Sequence, residues 1–317
     1  AAMLFISKID YRFWKKFYKI AYIASIILLL MVLIPGIGRS AGGARRWINL
    51  GIQFQPSELA KIGLIIFYAS YLTDHKDELK DFKKGFVKPL LYLIPVVLIL
   101  ILVQDHLSAT IIIVLVVGIM MLMAGVRPKY FATVGTGVAV AGAAGLYAMA
   151  KFTSKGAFRI ARITSFLNPW ADKQGDGWQV IQSLYAIGSG GLFGVGLGQS
   201  KQKYLYISEP HTDFIFAVLA EELGFVGCAI VIGLFGIFIW RGVLAAMKAP
   251  DMFGSLVAVG ITSLIGLQAI INIAVVTSSM PVTGMPLPFF SYGVTSLLIL
   301  LCSVGVLLNI SRAGTKV

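Results

Sequence analysis

The sequence predicts an all-α fold, a polytopic transmembrane helix bundle, and three observations predict it. Of 317 residues, 58% are apolar and 13% are charged, whereas a soluble domain covers itself with about 25% charged residues. Apolar runs long enough to cross a hydrocarbon core of ~30 Å, about 20 residues each, recur eight times. The cations fall in clusters between these runs. With a mean hydropathy of +0.86, the thin supply of charge sets aside cytosolic enzymology, secretion and nucleic-acid binding. The net charge of +13 matters by its placement, since short-loop cations fix orientation.

The spans fall near 19–36, 57–73, 88–104, 107–125, 130–150, 214–240, 253–279 and 289–311. Lys8, Arg12, Lys15, Lys16 and Lys19 precede the first, and Lys76, Lys80, Lys83, Lys84 and Lys88 separate the second from the third. Basic short loops mark the cytoplasmic side. Alternation then puts Arg127 with Lys129, Arg241 with Lys248 and Arg312 with Lys316 on that side too, so both ends are expected inside. The loop at about 151–213 is expected outside, because long loops translocate despite their charge. One membrane domain over 1–317 is the simplest partition. The apolar stub Ala1 to Ser7 is too short to span and carries no signal-peptide cleavage pattern, so earlier helices are expected in the intact protein. Cys228 and Cys302 lie inside predicted spans and read as small packing residues, with neither disulfide nor metal implied.

Polar residues in the apolar runs are the candidates for function. Glu58 and Lys61 stand one turn apart behind Pro56, a first-turn proline, so they share a face and can neutralise each other. A charge at bilayer depth costs roughly 2.5–3.5 kcal/mol, so the pair reads either as cavity lining or as an interfacial anchor. Gln104-Asp105-His106 reverses the chain between two helices with almost no loop, and Asp105 is placed to cap the second. In the outer loop Lys151, Lys155, Arg159 and Arg162 recur at helical spacing, a cationic stripe suited equally to a phosphate ligand or to anionic headgroups. The glycine segment Gly188 to Gly198 precedes Lys201 and Lys203 but fits neither a P-loop nor a dinucleotide fingerprint. It reads as a flexible or re-entrant membrane-edge segment. Asp213, in His211-Thr212-Asp213-Phe214, reads from sequence alone as an anion stabilised at a helix N-terminus, and Glu221 with Glu222 lies about two turns deeper. The uncharged, proline-rich stretch Met280 to Gly293 reads as a stiff, non-helical cover.

Taken together these motifs resemble the SEDS family (shape, elongation, division and sporulation), the FtsW/RodA/SpoVE proteins of bacterial cell-wall synthesis. The resemblance rests on Gly43-Ala44-Arg45-Arg46-Trp47-Ile48, Gln55-Pro56-Ser57-Glu58, Phe166-Leu167-Asn168-Pro169-Trp170 through Gly177-Trp178-Gln179, the glycine segment, His211-Thr212-Asp213-Phe214 with Glu221-Glu222-Leu223-Gly224, and Pro286-Leu287-Pro288-Phe289-Phe290-Ser291-Tyr292-Gly293. It covers nearly the whole chain. The family has ten spans, so eight here implies that the first helix and most of the second are lacking. Many members read Gln-Pro-Asp-Leu-Gly-Thr where this chain has Gln104-Asp105-His106-Leu107; the family aspartate falls on His106, which leans toward division or sporulation members.

The resemblance implies a multi-pass protein of the bacterial cytoplasmic membrane that polymerises lipid II into glycan outside, with a class B penicillin-binding protein as partner and membrane lipid around it. It makes Asp213 the catalytic residue. Glycosidic bond formation needs a base for the acceptor hydroxyl and cations for the departing pyrophosphate. An ordinary aspartate, pKa about 3.9, is a weak base at neutral pH, so burial is expected to strengthen it. Expected substrate-binding residues are Arg45, Arg46, Glu58, Lys61, Arg159, Arg162, Lys201, Lys203, His211 and Ser291, with Mg²⁺ or Mn²⁺ as a candidate ion. Two other readings stand beside it: a flippase for the same lipid-linked precursor, motivated by the intramembrane charges, and a noncatalytic scaffold for the penicillin-binding protein.

Overall fold

The computed structural model describes residues 1–41, 44–49, 51, 53–137, 166, 168–171, 177–202 and 211–315. Its elements in chain order are α1 (Ala2–Ile6), α2 (Arg12–Lys15), α3 (Tyr18–Met31), β1 (Gly38–Ala41), β2 (Ala44–Asn49), β3 (Gln53–Phe54) and α4 (Pro56–Asp74). Then follow α5 (Phe82–Val103), α6 (Leu107–Ala124), α7 (Gly177–Gly190), α8 (Ile215–Met247), α9 (Met252–Val276) and α10 (Val294–Gly314). Five of these, α5, α6, α8, α9 and α10, are long and apolar enough to cross a membrane, and the chain is a mostly helical, multi-pass membrane protein. α3 is apolar but short. α4 has 19 residues and the expected first-turn proline, with Glu58 and Lys61 in its first two turns.

Two departures from an all-α bundle have local causes. β1, β2 and β3 form a small antiparallel sheet, Arg39 opposite Trp47 and Ile48 opposite Phe54, between two predicted spans where the sequence assigns no element. Gly36 and Gly51 adopt φ of +86° and +88° at its turns, a region that a Cβ disfavours. The expected single span at 214–240 is also interrupted: α8 breaks at Gly224, whose φ of 66° and ψ of −167° are not helical.

The described residues fall into two compact units, one of Ala1–Tyr130, Ile237–Gly266 and Gly293–Val317, the other of Phe131–Gly236 and Leu267–Tyr292. The first packs around α4, whose Leu64, Ile65, Tyr68 and Leu72 are buried. Gly63 lets α4 approach α3, since a Cβ there would lie 2.3 Å from Ser25 Oγ.

In the second unit the glycine segment is no free loop. Val195 and Gly196 donate backbone N–H bonds to the carbonyls of Glu221 and Glu222, at 2.9 and 3.1 Å, while Phe225 and Val226 donate to those of Gly191 and Leu192. The break at Gly224 releases the α8 groups that make these bonds. A Cβ on Gly194 would stand 2.1 Å from the Glu222 carbonyl oxygen, at a φ of +80°. Gly194→Ala is therefore expected to destabilise the protein by at least about 1–3 kcal/mol, read as a lower thermal midpoint in detergent.

Candidate functional site

The second unit carries Asp213 on a turn immediately ahead of α8, with the helix starting at Ile215. Phe214 beneath it is buried and Asp213 is half-buried. Three consecutive carbonyls of this turn each accept a bond from a different donor. The Tyr292 N–H reaches the His211 carbonyl at 2.8 Å, Ser291 Oγ donates to Thr212 at 2.6 Å, and Asn272 Nδ2 donates to Asp213 at 2.7 Å. Asn272 also donates to the Met285 carbonyl at 2.7 Å, and Ser291 Oγ accepts the Leu287 N–H. The proline-rich stretch and α9 thus hold the turn through its main chain. Gly284, at a φ of +67°, brings bare backbone alongside: a Cβ there would lie 3.2 Å from Asp213 Oδ2.

Deeper in the same unit, Glu221 is 2% exposed and gathers the next loop. Its carboxylate accepts the Ser200 hydroxyl and the backbone N–H groups of Lys201 at 3.0 Å and Gln202 at 3.3 Å. A buried carboxylate is tolerated when several donors face it. Lys201 is thereby anchored through its main chain.

The first unit holds a separate polar cluster. Lys61 Nζ and Glu58 Oε1 are 2.7 Å apart with side chains 4% and 9% exposed, the face-sharing pair that the spacing predicts. Arg46 on β2 donates Nε to the Gln104 carbonyl at 3.2 Å and a second nitrogen to the Asp105 carbonyl. Gln104 is itself buried and donates to the Leu29 carbonyl. His106 occupies the N-cap position of α6, after Asp105 at a φ of +47°. Burial, followed by the charges of Arg46 and Lys61, pushes its imidazole down to about 3, so His106 is neutral at physiological pH.

Of the expected site residues, Arg45, Arg46, Glu58 and Lys61 belong to the first unit, and Lys201, His211, Asp213 and Ser291 to the second. Arg45 and His211 are exposed. Arg159, Arg162 and Lys203 lie outside the described residues, as do Lys151 and Lys155. Asn272, 1% exposed, was not singled out by its sequence: one amide within an apolar helix gives no signal until residues 213 and 285 converge on it. The break at Gly224 was not singled out either, since a glycine is ordinary inside a membrane helix.

A family model described as cell cycle protein, FtsW/RodA/SpoVE, matches residues 1–316. Stage V sporulation protein E of Bacillus subtilis (strain 168) is 46% identical over 312 residues, which are 98% of this chain and 83% of that protein. A probable peptidoglycan glycosyltransferase FtsW of Geobacter sp. (strain M18) is 45% identical over 96% of this chain and 81% of its own length. Among solved structures, a peptidoglycan synthase complex, reported for structural coordination of polymerization and crosslinking, aligns with a TM-score of 0.82 at 30% identity, covering 100% of this chain and 87% of that one. The rod shape determining protein RodA of Thermus thermophilus aligns with a TM-score of 0.68 at 30% identity, covering 98% and 83%. A match that runs from the first residue almost to the last, joined to relatives this similar, shows that the chain belongs to the FtsW/RodA/SpoVE family of cell cycle proteins.

Proposed function

We propose that the chain is a peptidoglycan glycosyltransferase that polymerises lipid II on the outer face of the cytoplasmic membrane, in division, elongation or sporulation. The observation that carries this reading is the Asp213 turn, whose three successive carbonyls are each held by a separate donor, in a chain whose relatives bear that activity in their names. The acceptor 4-hydroxyl attacks the anomeric carbon of the donor. Its proton passes to the Asp213 carboxylate, the new glycosidic C–O bond forms, and the bond to phosphate breaks with its electron pair leaving on the lipid pyrophosphate. Positioned proton transfer contributes about 10²–10⁴ in rate. Arg45, Arg46, Arg159, Arg162, Lys201 and Lys203 are proposed to neutralise the pyrophosphate, with Glu58, Lys61, His211 and Ser291 shaping the substrate path. Among the described residues no group of three or more His, Cys, Asp or Glu could hold a metal ion. Mg²⁺ or Mn²⁺ is proposed as a companion of the substrate's phosphate oxygens, and no step is assigned to it.

The same proposal takes eight spans, both ends in the cytoplasm and the 151–213 loop outside, supported by the basic short loops. It takes a class B penicillin-binding protein as partner, supported by the likeness to a peptidoglycan synthase complex. The buried Glu58–Lys61 pair favours flipping of the precursor as the second reading. Proteoliposomes loaded with labelled lipid II separate the two: elongated glycan without transbilayer movement supports the polymerase, and movement without elongation supports the flippase.

Asn272 is a positioning residue in this scheme. Asn272→Ala removes the bonds to the Asp213 and Met285 carbonyls, and a displacement of about 1 Å at a reacting group can cost 10²-fold in rate. The expected result is a kcat lowered about 100-fold with KM for lipid II nearly unchanged, measured by steady-state polymerisation.

A further inference from the structure

Glu221 is a buried carboxylate to which the reaction as written gives no role. It lies in residues 215–223 of α8, the stretch between the Asp213 turn and the break at Gly224. Both ends of this stretch are pinned. Asn272, Ser291 and Tyr292 hold the turn at one end, and at the other the carbonyls of Glu221 and Glu222 take the N–H groups of Val195 and Gly196. Those two main-chain bonds already dock the glycine segment. The Glu221 side chain reaches past them to residues 200–202, where it accepts the Ser200 hydroxyl and the N–H groups of Lys201 and Gln202. Ser200 is fully buried, whereas Lys201 is exposed. A carboxylate is costly to bury, and here three donors from one loop offset that cost with bonds of the stronger, charge-assisted kind.

We propose that Glu221 is a positioning residue for the glycosyl transfer: it fixes the main chain of Lys201 relative to Asp213, so that base and cation stand at a set separation. The proposal rests on the glycosyltransferase reading. Glu221 is six residues beyond the helix start at Ile215, about 9 Å at 1.5 Å per residue, and that short helix is held at both ends. Asp213 takes the acceptor proton, and the Lys201 ammonium faces the departing pyrophosphate. Glu221 touches neither substrate nor reacting atom and transfers no proton. Fixed geometry of this kind matters because a displacement of about 1 Å at a reacting group can cost 10²-fold in rate. A purely architectural anchor would serve equally well whatever side chain residue 201 carried; a positioning residue acts through that lysine alone.

The test is a double-mutant cycle in kcat/KM for lipid II polymerisation by the full chain. Glu221→Gln keeps the size of the side chain but offers one acceptor oxygen to three donors. It is expected to lower kcat/KM about 100-fold beside Lys201, yet at most about threefold in a Lys201→Met background. Ser200→Ala removes one donor and leaves the carboxylate in place, so it repeats the cycle should Glu221→Gln fail to fold; its smaller loss should again vanish with Lys201→Met. A nitroxide attached through Lys201→Cys reads the anchoring without turnover, and its electron paramagnetic resonance spectrum should show greater mobility once Glu221→Gln or Ser200→Ala is added. Losses that add across the two backgrounds, or a nitroxide equally immobile with and without these changes, would overturn the role of Glu221 while an active wild type keeps the glycosyltransferase reading. A wild type that makes no glycan would remove that reading and the proposal with it.

Discussion

Asp213→Asn is expected to lower lipid II polymerisation by about 10²–10⁴-fold while leaving the fold in place. The substitution keeps size and shape, and the bonds that hold the turn run to the main-chain carbonyls of residues 211–213, which asparagine retains. What it removes is the site that takes the proton. Gly284→Ala probes the same carboxylate from the other side: its Cβ would crowd Asp213 Oδ2 at 3.2 Å from a backbone with φ of +67°, so both activity and stability should fall. Initial rates of glycan formation, with the thermal midpoint measured on the same preparations, check both variants. Full activity in Asp213→Asn would remove the carboxylate from the mechanism.

Lys61→Met is expected to have the largest effect on stability. Glu58 would be left with its side chain 9% exposed and its 2.7 Å partner gone, and breaking a buried ion pair from one side costs about 3–5 kcal/mol. Joint replacement, Glu58→Gln with Lys61→Met, removes both charges and should recover most of that loss, because buried pairs exchange for neutral groups at little net cost. A double-mutant cycle in thermal midpoint resolves the coupling. If the two single variants and the double lost similar small amounts, the pair would be an interfacial anchor of little energetic consequence.

Much of this was legible in the sequence for a plain physical reason: apolar length announces helices that cross a membrane, and a spacing of three announces a shared face. The start of α4 at Pro56, the Glu58–Lys61 contact and the non-helical stretch before α10 follow from those rules. The small sheet escaped them because strands of four, six and two residues leave too short a pattern beside long apolar runs. The break at Gly224 escaped because glycine is ordinary inside membrane helices, and only the approach of residues 191–196 makes this one obligatory. Asn272 escaped because its two acceptors lie 59 and 13 residues away. Glu221 signalled a need for polar surroundings but not which loop would supply them.

The purified chain is expected to make glycan through Asp213. The most direct measurement incubates lipid II in detergent, where no compartments exist, with the wild type and with Asp213→Ala, each alone and with its penicillin-binding partner. A ladder of glycan products is expected from the wild type and none from the variant. Equal ladders from both, or none from the wild type even with its partner, would contradict it.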